Sequence, residues 1–501
     1  MRIGTYYKWS IAAFATLLLL SIPAFAQGGT GSTTQASATP AGGPKSARAR
    51  PAEVLPGPNT RWSLAAVGDA IITRRIAQFD NADDSRFHEM VNVIRGADVA
   101  MVNLEISLFR FSEFKGWPEV ENGGNWEVGP PEAAVDLKEM GFRLFNRANN
   151  HTTDYGVEGM RTTDRLLDSL RLVHAGSGEN LGWASRPGYL DTPRGRIAFI
   201  GLATTFTPMS RAGAVRPDMR GRPGMNALRL TTSFEADSQT FAAMRAAATA
   251  FGSGGGGGGG AGPGSGTGEE TIRVLGQAVQ RGARNGRVGT LNPADQARIL
   301  REIRNASQQA DYVIVTSHTH ESTPVPPAWL SAWIRKCLDA GATTYIIQGP
   351  HLLRGIEVYK GKPIFYSLGN FVFQNETIDP MPSDNYETFN LPDTALATQV
   401  YDARFRNGTS GFPAAPDYYE SVVAVPTFQG NQLVELKLYP IELGQKAPRS
   451  QRGTPRLADD ATGRRIIERL ASMSAPLGTT IVYQNGMGVW RRPAAPSSSQ
   501  R

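Results

Sequence analysis

The chain has 501 residues and a formal charge of +7, from 52 basic and 45 acidic side chains, and it contains one cysteine and six histidines. A single cysteine excludes a scaffold of intramolecular disulfides. The basic excess consists of scattered arginines rather than one dense block, which argues against a nucleic-acid partner. The length is compatible with two or three average domains or with one large unit that carries insertions.

The N-terminal residues 1–26 have the pattern of an export signal. A basic start precedes an apolar run from Ile11 to Ile22, and the small-x-small sequence AFA ends at Ala26. We predict a signal peptide that is cleaved after Ala26. The alternative is an uncleaved single-span anchor, although the run is shorter than the roughly twenty apolar residues that a span needs. The protein is expected to be exported, and to be periplasmic or associated with the cell envelope.

Three further segments contain too few large apolar side chains to offset the entropy of folding. Residues 27–60, rich in Gly, Ser, Thr, Ala and Pro, are predicted to be a disordered linker. The glycine-rich residues 251–270 are predicted to be a mobile loop, within a flexible, low-complexity insertion at about 210–290. Residues 491–501 are predicted to be a disordered tail.

Between these segments the hydrophobic pattern alternates between strands and helices. Buried strands are predicted at SLAAVGDAII, ADVAMVNLEISLF, RLFNRANNH, RIAFIGLAT, DYVIVTSH and TTYIIQGPH, with amphipathic helices between them. A hairpin, IEVYKGKPIFYSLGNFVF, follows and turns at Lys360-Gly361. This alternation predicts a layered α/β fold whose strands end at one edge, where functional side chains are expected to collect.

Polar side chains follow five of the predicted strands at the point where each strand ends. The clusters are Gly68-Asp69, Asn103-Leu104-Glu105, Asn149-Asn150-His151, His318-Thr319-His320-Glu321 and Pro350-His351. Asp, Glu, Asn and His at one edge form the mixed ligand set that Mn, Fe or Zn accepts, as one ion or as a pair. Each cluster taken singly is also explained as a turn or a cap. Their joint position at the strand ends favours a site for a divalent metal.

Six stretches of the chain form a recognisable set of motifs. They are GDA, VNLEIS, ANNHTTDYG, HAGSGEN, VIVTSHTHE and GIEVYKGKPIFYSLGNFVFQ. Together they resemble the CapA family of bacterial capsule synthesis proteins, which is named for its role in poly-γ-glutamate capsule formation. The domain of that family is similar to the calcineurin-like metallophosphoesterases. The resemblance implies a metallophosphoesterase-like, layered β-sandwich flanked by helices over residues 61–445, completed by a C-terminal helix and strand at residues 446–490.

By position, the metallophosphoesterase pattern implies roles for individual side chains. The implied metal ligands are Asp69, Glu105, Asn150, His318 and His351. Glu105 would be the carboxylate that bridges two ions, and the catalytic residues would be His151 and Asn150, with His151 as general acid or as a group that stabilises the leaving group. Residues that would orient these ligands or contact substrate are Asn103, His320, Glu321, Gln348 and Asn370.

The chain departs from the family pattern at three positions. Ile71 stands where the superfamily has the histidine of an early Asp-x-His motif, and Glu105 replaces its second aspartate. Gln348 stands where related chains have the first histidine of a Gly-His-Gly-Pro-His motif. A glutamine amide is a poorer metal ligand than imidazole. The implied cofactor is therefore a divalent metal, Mn, Fe or Zn, with one or two ions bound.

Two hypotheses of different classes follow. The first is an exported CapA-type protein of poly-γ-glutamate or capsular polymer biosynthesis, with a metal-dependent, phosphoesterase-like hydrolase site. The alternative, which Ile71 and Gln348 favour, is a non-catalytic polymer-binding or capsule assembly protein on the same fold. A phosphoesterase for nucleotides or nucleic acids is a third hypothesis, but a fold alone assigns no substrate. The expected partners are an anionic cell-envelope polymer such as poly-γ-glutamate and a membrane-bound capsule synthesis complex, without nucleic acid.

Overall fold

The computed structural model describes residues 60–251 and 271–492. The predicted signal peptide lies outside the described residues, as do nearly all of the predicted linker, the glycine-rich loop and the predicted tail. All of the described residues fall in one compact unit, Leu55–Arg501. No helix in the described part of the chain is both long enough and apolar enough to cross a membrane.

The secondary structure of the described residues consists of short and long strands interleaved with helices. The strands are β1 (Arg61–Ile71), β2 (Val99–Leu104), β3 (Ser107–Leu108), β4 (Val128–Gly129), β5 (Leu144–Asn146), β6 (Val173–Ala175), β7 (Ser177–Gly178), β8 (Gly188–Thr192), β9 (Gly195–Ala203), β10 (Gly224–Met225), β11 (Leu230–Ala236), β12 (Thr271–Val274), β13 (Gln277–Arg281), β14 (Gly286–Leu291), β15 (Tyr312–His318), β16 (Thr344–Gln348), β17 (Ile356–Tyr359), β18 (Lys362–Phe365), β19 (Asn370–Phe373), β20 (Glu420–Gln429), β21 (Gln432–Glu442), β22 (Arg456–Leu457), β23 (Val482–Gln484) and β24 (Met487–Arg491). The α-helices are α1 (Ser85–Arg95), α2 (Glu132–Glu139), α3 (Gly156–Ser169), α4 (Leu181–Ser185), α5 (Ser238–Ala250), α6 (Pro293–Gln309), α7 (Ala328–Asp339), α8 (Ser383–Thr388), α9 (Ala397–Arg404) and α10 (Asp460–Ser474).

Two large sheets dominate a mixed α/β fold, and the predicted α/β class is thereby confirmed. In the larger sheet the strands run in the order β23-β24-β21-β20-β1-β2-β5-β6, with β19 paired to β1 and β22 to β21. The pairs from β1 to β6 and the pair of β1 with β19 are parallel. The smaller sheet has the order β17-β18-β16-β15-β9-β8, parallel in its centre and antiparallel at both ends. The predicted hairpin is confirmed: β17 and β18 are joined by Lys360 and Gly361, both with positive φ.

Apolar clusters hold these layers together. One cluster lies between the two large sheets, where the ring of Trp62 on β1 stacks on Tyr312 of β15 at 4.2 Å between centroids. Successive residues of a strand point to opposite faces, so Ala65 and Val67 enter a different cluster, which α1, α2 and α3 cover. A third cluster lies between the smaller sheet and the helices α6 and α7. Helices therefore shield the face of each sheet that does not meet the other sheet.

Parallel pairing brings polar residues to the same level at the strand ends. In the larger sheet Asp69 pairs in register with Asn103 and with Asn370. In the smaller sheet His318 pairs with Gln348. These residues come from distant parts of the sequence, and they meet because the carboxyl ends of parallel strands lie at one edge.

The interval at about 210–290, treated above as a flexible insertion, contains regular structure in its described parts. The strands β11 to β14 form a small sheet in the order β12-β13-β11-β14, and Phe241 of α5 packs against it. β10 pairs with β7. The strands of the small sheet carry few large apolar side chains, for example QAVQR in β13. Their hydrophobic pattern is therefore too weak to predict them from sequence.

Gly68 is expected to tolerate no side chain. A Cβ atom added there would collide with the carbonyl oxygen of Gly369, which accepts the backbone N–H of Asp69 at 3.1 Å. Because sheet pairing fixes the backbone on both sides, Gly68→Ala should lower the free energy of unfolding by about 3 kcal/mol. Gly286→Ala is the control, since nothing lies within 4 Å of the added atom, and it should change stability by less than about 0.5 kcal/mol. Urea unfolding measures both, and equal stabilities would contradict this packing.

Candidate metal centre

Asp69, near the end of β1, is a buried carboxylate with both oxygens held in place. Its Oδ1 accepts a hydrogen bond from Nδ2 of Asn103 at 2.7 Å, and its Oδ2 accepts the backbone N–H of Gly349 at 3.0 Å. Asn103 is fixed in turn, because its Oδ1 accepts from Asn146 at 2.8 Å and from Asn149 at 3.3 Å. This amide network orients the carboxylate before any ligand binds.

Glu105, the first residue after β2, is equally buried but is not held in this way. Neither of its carboxylate oxygens accepts a hydrogen bond from any described residue. Two imidazole nitrogens lie near its Oε1, Nε2 of His318 at 3.4 Å and Nε2 of His351 at 3.9 Å. Burial and repulsion from Asp69 raise the pKa of Glu105 well above its ordinary value. A buried carboxylate without a partner is unfavourable, so Glu105 requires either a proton or a cation.

Three imidazole groups surround the two carboxylates. His318 ends β15, His320 lies two residues further along, and His351 lies in the loop after β16. The Nε2 atoms of His318 and His320 are 3.1 Å apart. Burial and repulsion from the other imidazoles lower the pKa of His318 well below its ordinary value. His320 is exposed, but desolvation of its ring and repulsion from His351 and His151 also lower its pKa. These conditions favour neutral imidazole, which is the form that binds metal ions.

The loop that carries His351 is shaped for close approach to the other ligands. Gly349 has a φ of 105°, and a Cβ atom there would lie 2.9 Å from the His318 ring. His351 itself has a φ of 57°, a left-handed conformation that is uncommon for a residue with a side chain. Its Nδ1 lies 2.8 Å from Oδ1 of Asn370. This contact leaves Nε2 of His351, the nitrogen near Glu105, free to coordinate an ion.

The residues present fit a divalent metal. Two sets of three side chains have ligand atoms within 4.8 Å of one another: Asp69, Glu105 and His318 form one set, and Glu105, His320 and His351 form the other. Glu105 belongs to both sets. Carboxylate oxygens with imidazole nitrogens suit Mn, Fe or Zn. Asp69 and Glu105 are both buried, and a cation would offset the charge of their ionised forms. The oxygens of Glu105, which accept no hydrogen bond from any described residue, are available to bind it.

His151 is held by a buried carboxylate at the start of α3. Its Nδ1 lies 2.7 Å from Oδ2 of Asp154, which also accepts the backbone N–H of Glu127 at 2.7 Å. Burial opposes the charged imidazole, but the charge and the hydrogen bond of the Asp154 carboxylate, together with the charge of Glu127, outweigh it, so the pKa of His151 is raised. His151 also interacts electrostatically with His318 and with His320. The contact at Nδ1 leaves Nε2 as the atom available for proton exchange.

The structure brings most of the predicted site residues together. Those with mutual contacts are Asp69, Asn103, Glu105, His318, His320, His351 and Asn370. Asn150 lies in the same turn as His151, and its buried Oδ1 accepts no hydrogen bond from a described residue. This oxygen is therefore a free acceptor beside the cluster.

His320 and Glu321 differ from their expected role of orienting His318. His320 belongs to one of the two sets of candidate ligands and is thus in a position to bind an ion directly. Glu321 is turned to other partners, since its carboxylate contacts Arg287 at 3.4 Å and the Thr323 hydroxyl at 3.1 Å. Both residues lie beyond the end of β15, where the alternation of side chains along a strand no longer applies.

Two of the three departures from the family pattern, Gln348 and Ile71, have a structural explanation. Gln348 lies beside His318 in register, but its Oε1 accepts the Thr316 hydroxyl at 2.6 Å. Ile71 is buried in the apolar cluster that the helices of the larger sheet cover. Neither position therefore offers the cluster an imidazole or an unoccupied amide oxygen.

Asn146 and Asp154 carry no predicted role, and Asn149 was expected only as part of a polar cluster at a strand end. Asn146 ends β5 in register with Asn103, so its position at the end of a parallel strand was a usable signal. Asp154 lies three residues after His151, a spacing that brings two side chains together in a helical turn. Asn149 donates to the backbone oxygen of Leu104 at 2.8 Å, a contact that only the fold reveals.

Residues 63–375 match the family described as bacterial capsule synthesis protein PGA_cap. The chain belongs to this family. The matched range contains all of the candidate ligands, from Asp69 to His351, and the CapA-type membership predicted from the motifs is confirmed.

Named relatives extend this comparison. The uncharacterized protein y4sH of Sinorhizobium fredii is 40% identical over 443 residues, which cover 86% of this chain and 93% of the relative. The capsule biosynthesis protein CapA of Bacillus anthracis is 25% identical over 323 residues, 63% of this chain and 60% of that protein. The PGA biosynthesis protein CapA of Bacillus subtilis is 26% identical over 315 residues, 62% of this chain and 63% of that protein. The similarity thus spans less than two thirds of either CapA protein.

Glu105→Gln is expected to separate metal binding from folding. In metal-free protein the variant should be at least as stable as the wild type, because it removes a buried carboxylate and its repulsion from Asp69. Mn or Zn at about 100 times its Kd should stabilise the wild type by about 2.7 kcal/mol and should leave the variant unchanged. Thermal unfolding with and without chelator measures this. Glu468→Gln, on the exposed side of α10, is the control, and a metal response in Glu105→Gln would contradict the assignment.

Glu127 is expected to make stability depend on pH. Burial raises the pKa of this carboxyl from 4.5 to about 7. Between these values the folded protein keeps a proton that the unfolded chain has lost, so the free energy of unfolding falls as pH rises, by about 3 kcal/mol in total. The stability of the wild type relative to Glu127→Gln should therefore decrease from pH 4.5 to 7 and level off above it. Urea unfolding across this range measures the difference, which would stay constant if Glu127 were ionised throughout.

Proposed function

We propose that this protein is an exported, metal-dependent hydrolase of the CapA type that acts in the biosynthesis of poly-γ-glutamate or another capsular polymer. The observation that carries the proposal is the cluster at the strand ends, which is buried at Asp69, Glu105 and His318, half-buried at His351 and exposed at His320. In it, three histidines and Asp69 surround Glu105, whose oxygens accept no hydrogen bond from any described residue. Family membership supports the capsular role, and the description of the Bacillus subtilis relative as a PGA biosynthesis protein supports the polymer.

A metallophosphoesterase-like arrangement is part of the proposal. Two sheets that share one apolar cluster, helices on their other faces and polar residues at the strand ends support it. In such a site Asp69, Glu105, His318, His320 and His351 would hold one or two divalent ions. When bound, the metal would polarise a phosphoryl or carbonyl oxygen of the substrate as a Lewis acid. The substrate would be a phosphorylated or amide-linked part of an anionic envelope polymer.

His151 would supply the proton for the departing group. Asp154 holds Nδ1 of the ring, which fixes its orientation and leaves Nε2 to donate. The raised pKa of His151 favours the protonated imidazole near neutral pH, as a general acid requires. Asn150, in the same turn, would contribute its free Oδ1 to the metal or to the substrate.

The second candidate function is polymer binding or capsule assembly without efficient chemistry. Gln348 favours it, because its amide oxygen is occupied by the Thr316 hydroxyl, and Ile71 favours it, because its side chain belongs to the core. In that case an anionic polymer would bind equally well with and without metal. Both functions place the protein outside the cytoplasm, where a membrane-bound capsule synthesis complex would be its partner.

Metal content and hydrolysis, measured on the same samples, test the proposal. The samples are the protein from residue 27 onward and its His318→Ala and His351→Ala variants. The wild type should contain near-stoichiometric Mn, Fe or Zn and should hydrolyse a phosphodiester such as bis-p-nitrophenyl phosphate. Loss of a residue that only orients a metal ligand lowers metal affinity by roughly 10- to 100-fold. Each of these variants removes a candidate ligand itself and should therefore lower metal affinity by more than this. Activity should fall in parallel.

His88→Ala is the matched control, because His88 is a half-buried histidine on α1 that pairs with Asp80 and belongs to neither set of candidate ligands. It should keep both metal and activity. Wild-type protein that is folded, metal-free and inactive would exclude the hydrolase. If that protein also retained poly-γ-glutamate in the presence of chelator, the binding function would take its place.

A further inference from the structure

A hairpin beside the candidate metal centre projects from the fold between β9 and β10. We call residues 211–224 the arginine hairpin. Its two arms are joined by backbone hydrogen bonds, from the N–H of Gly213 to the oxygen of Arg222 at 2.9 Å and from the N–H of Arg216 to the oxygen of Met219 at 2.9 Å. Its tip therefore lies between Arg216 and Met219, in a defined conformation.

Large apolar side chains are exposed on and next to this hairpin. Val215 and Met219 flank the tip and are 61% and 65% exposed, and Met209, just before the hairpin, is 59% exposed. Isolated exposed apolar residues are ordinary on protein surfaces, but several on one projecting segment indicate an interaction surface.

The same segment carries a concentration of positive charge. Its arginines are Arg211, Arg216, Arg220 and Arg222, and its acidic residue is Asp218. Asp218 pairs with Arg216 at 3.0 Å, whereas Arg220 forms no ion pair with any described residue. Burial and repulsion from Arg229 and Arg222 lower the pKa of Arg211. The positive charge of the hairpin is thus only partly compensated from within the protein.

The arginine hairpin is firmly attached next to the metal centre. The Thr153 hydroxyl, in the turn that carries His151, donates to Oγ of Ser210 at 2.6 Å. The N–H of Leu181 donates to the oxygen of Gly213 at 2.9 Å, and β10, at the end of the hairpin, pairs with β7. Anything that binds the hairpin is therefore held at a fixed position relative to His151.

We propose that the arginine hairpin docks this protein onto an anionic phospholipid surface. Val215 and Met219 would enter the headgroup region, and the arginines would contact lipid phosphates. An anionic polymer would use the arginines alone and would leave the two apolar side chains in water, so the combination favours lipid. This inference does not depend on the hydrolase function, since it concerns a surface outside the metal cluster.

Vesicle flotation tests the proposal with the protein from residue 27 onward, which retains the whole compact unit Leu55–Arg501. The wild type should float with vesicles of phosphatidylglycerol and phosphatidylcholine, but not with phosphatidylcholine alone, and salt should weaken the binding. Loss of each arginine should reduce binding roughly fivefold, so Arg216→Gln with Arg220→Gln should reduce it roughly twenty-five-fold. Val215→Ser with Met219→Ser should reduce it at least about tenfold.

Val482→Ser is the matched control for the apolar pair. Val482 is 57% exposed and lies on β23, at the edge of the larger sheet opposite to β6. The Val482→Ser variant should bind vesicles as the wild type does. All of the proteins compared share the same N-terminal segment. Absence of wild-type binding to anionic vesicles would overturn the proposal. So would unchanged vesicle binding by Val215→Ser with Met219→Ser, which would show that charge alone accounts for the binding and that neither apolar side chain enters the headgroup region.

Discussion

Two carboxylates buried side by side, Asp69 and Glu105, are the constraint on which the architecture of the site depends. Asp69 is stabilised by two hydrogen bonds, but Glu105 receives none from any described residue, and burial with mutual repulsion raises its pKa. When both carboxylates are ionised, the pair carries more negative charge than the hydrogen bonds around it stabilise, so Glu105 requires a proton or a cation. Such an arrangement is unfavourable in an isolated fold and becomes favourable when a cation is bound.

The surrounding structure buries the two carboxylates and holds the neighbouring imidazoles close to them. The amide of Asn103 contacts both Asp69 and His318, at 2.7 and 3.2 Å, and so joins the two large sheets through polar groups. Gly349 allows the loop to pass against the His318 ring, and His351 accepts a left-handed backbone conformation. Strain and burial of this kind persist only because the apolar clusters between and outside the sheets offset them.

Residues at strand ends could be predicted from the hydrophobic pattern. The loop residues Asn150, His151 and His351 were implied by the family resemblance, whereas other contacts made by loops could not be predicted. Asp69, Glu105 and His318 follow buried apolar runs, and the geometry of parallel sheets brings such positions to one edge. The position of His320 among the candidate ligands could not be predicted. This residue lies after β15, where the alternation of side chains along a strand no longer applies. The contact of Asp154 with the Glu127 backbone joins two segments 27 residues apart, and only folding reveals it. The small sheet of the insertion was missed because its strands are largely polar.

The turn that carries His151 connects the candidate chemistry to the surface of the molecule. On one side His151 interacts electrostatically with His318, and on the other the Thr153 hydroxyl binds Ser210 at the base of the arginine hairpin. The hydrogen bond between Thr153 and Ser210 thus links the turn of the proposed proton donor to the residue that precedes the arginine hairpin. If the hairpin lies on a lipid surface, this contact links the candidate metal cluster to that surface. A polymer that is assembled at that surface would then meet the site at a high effective concentration, without any additional contact to the protein.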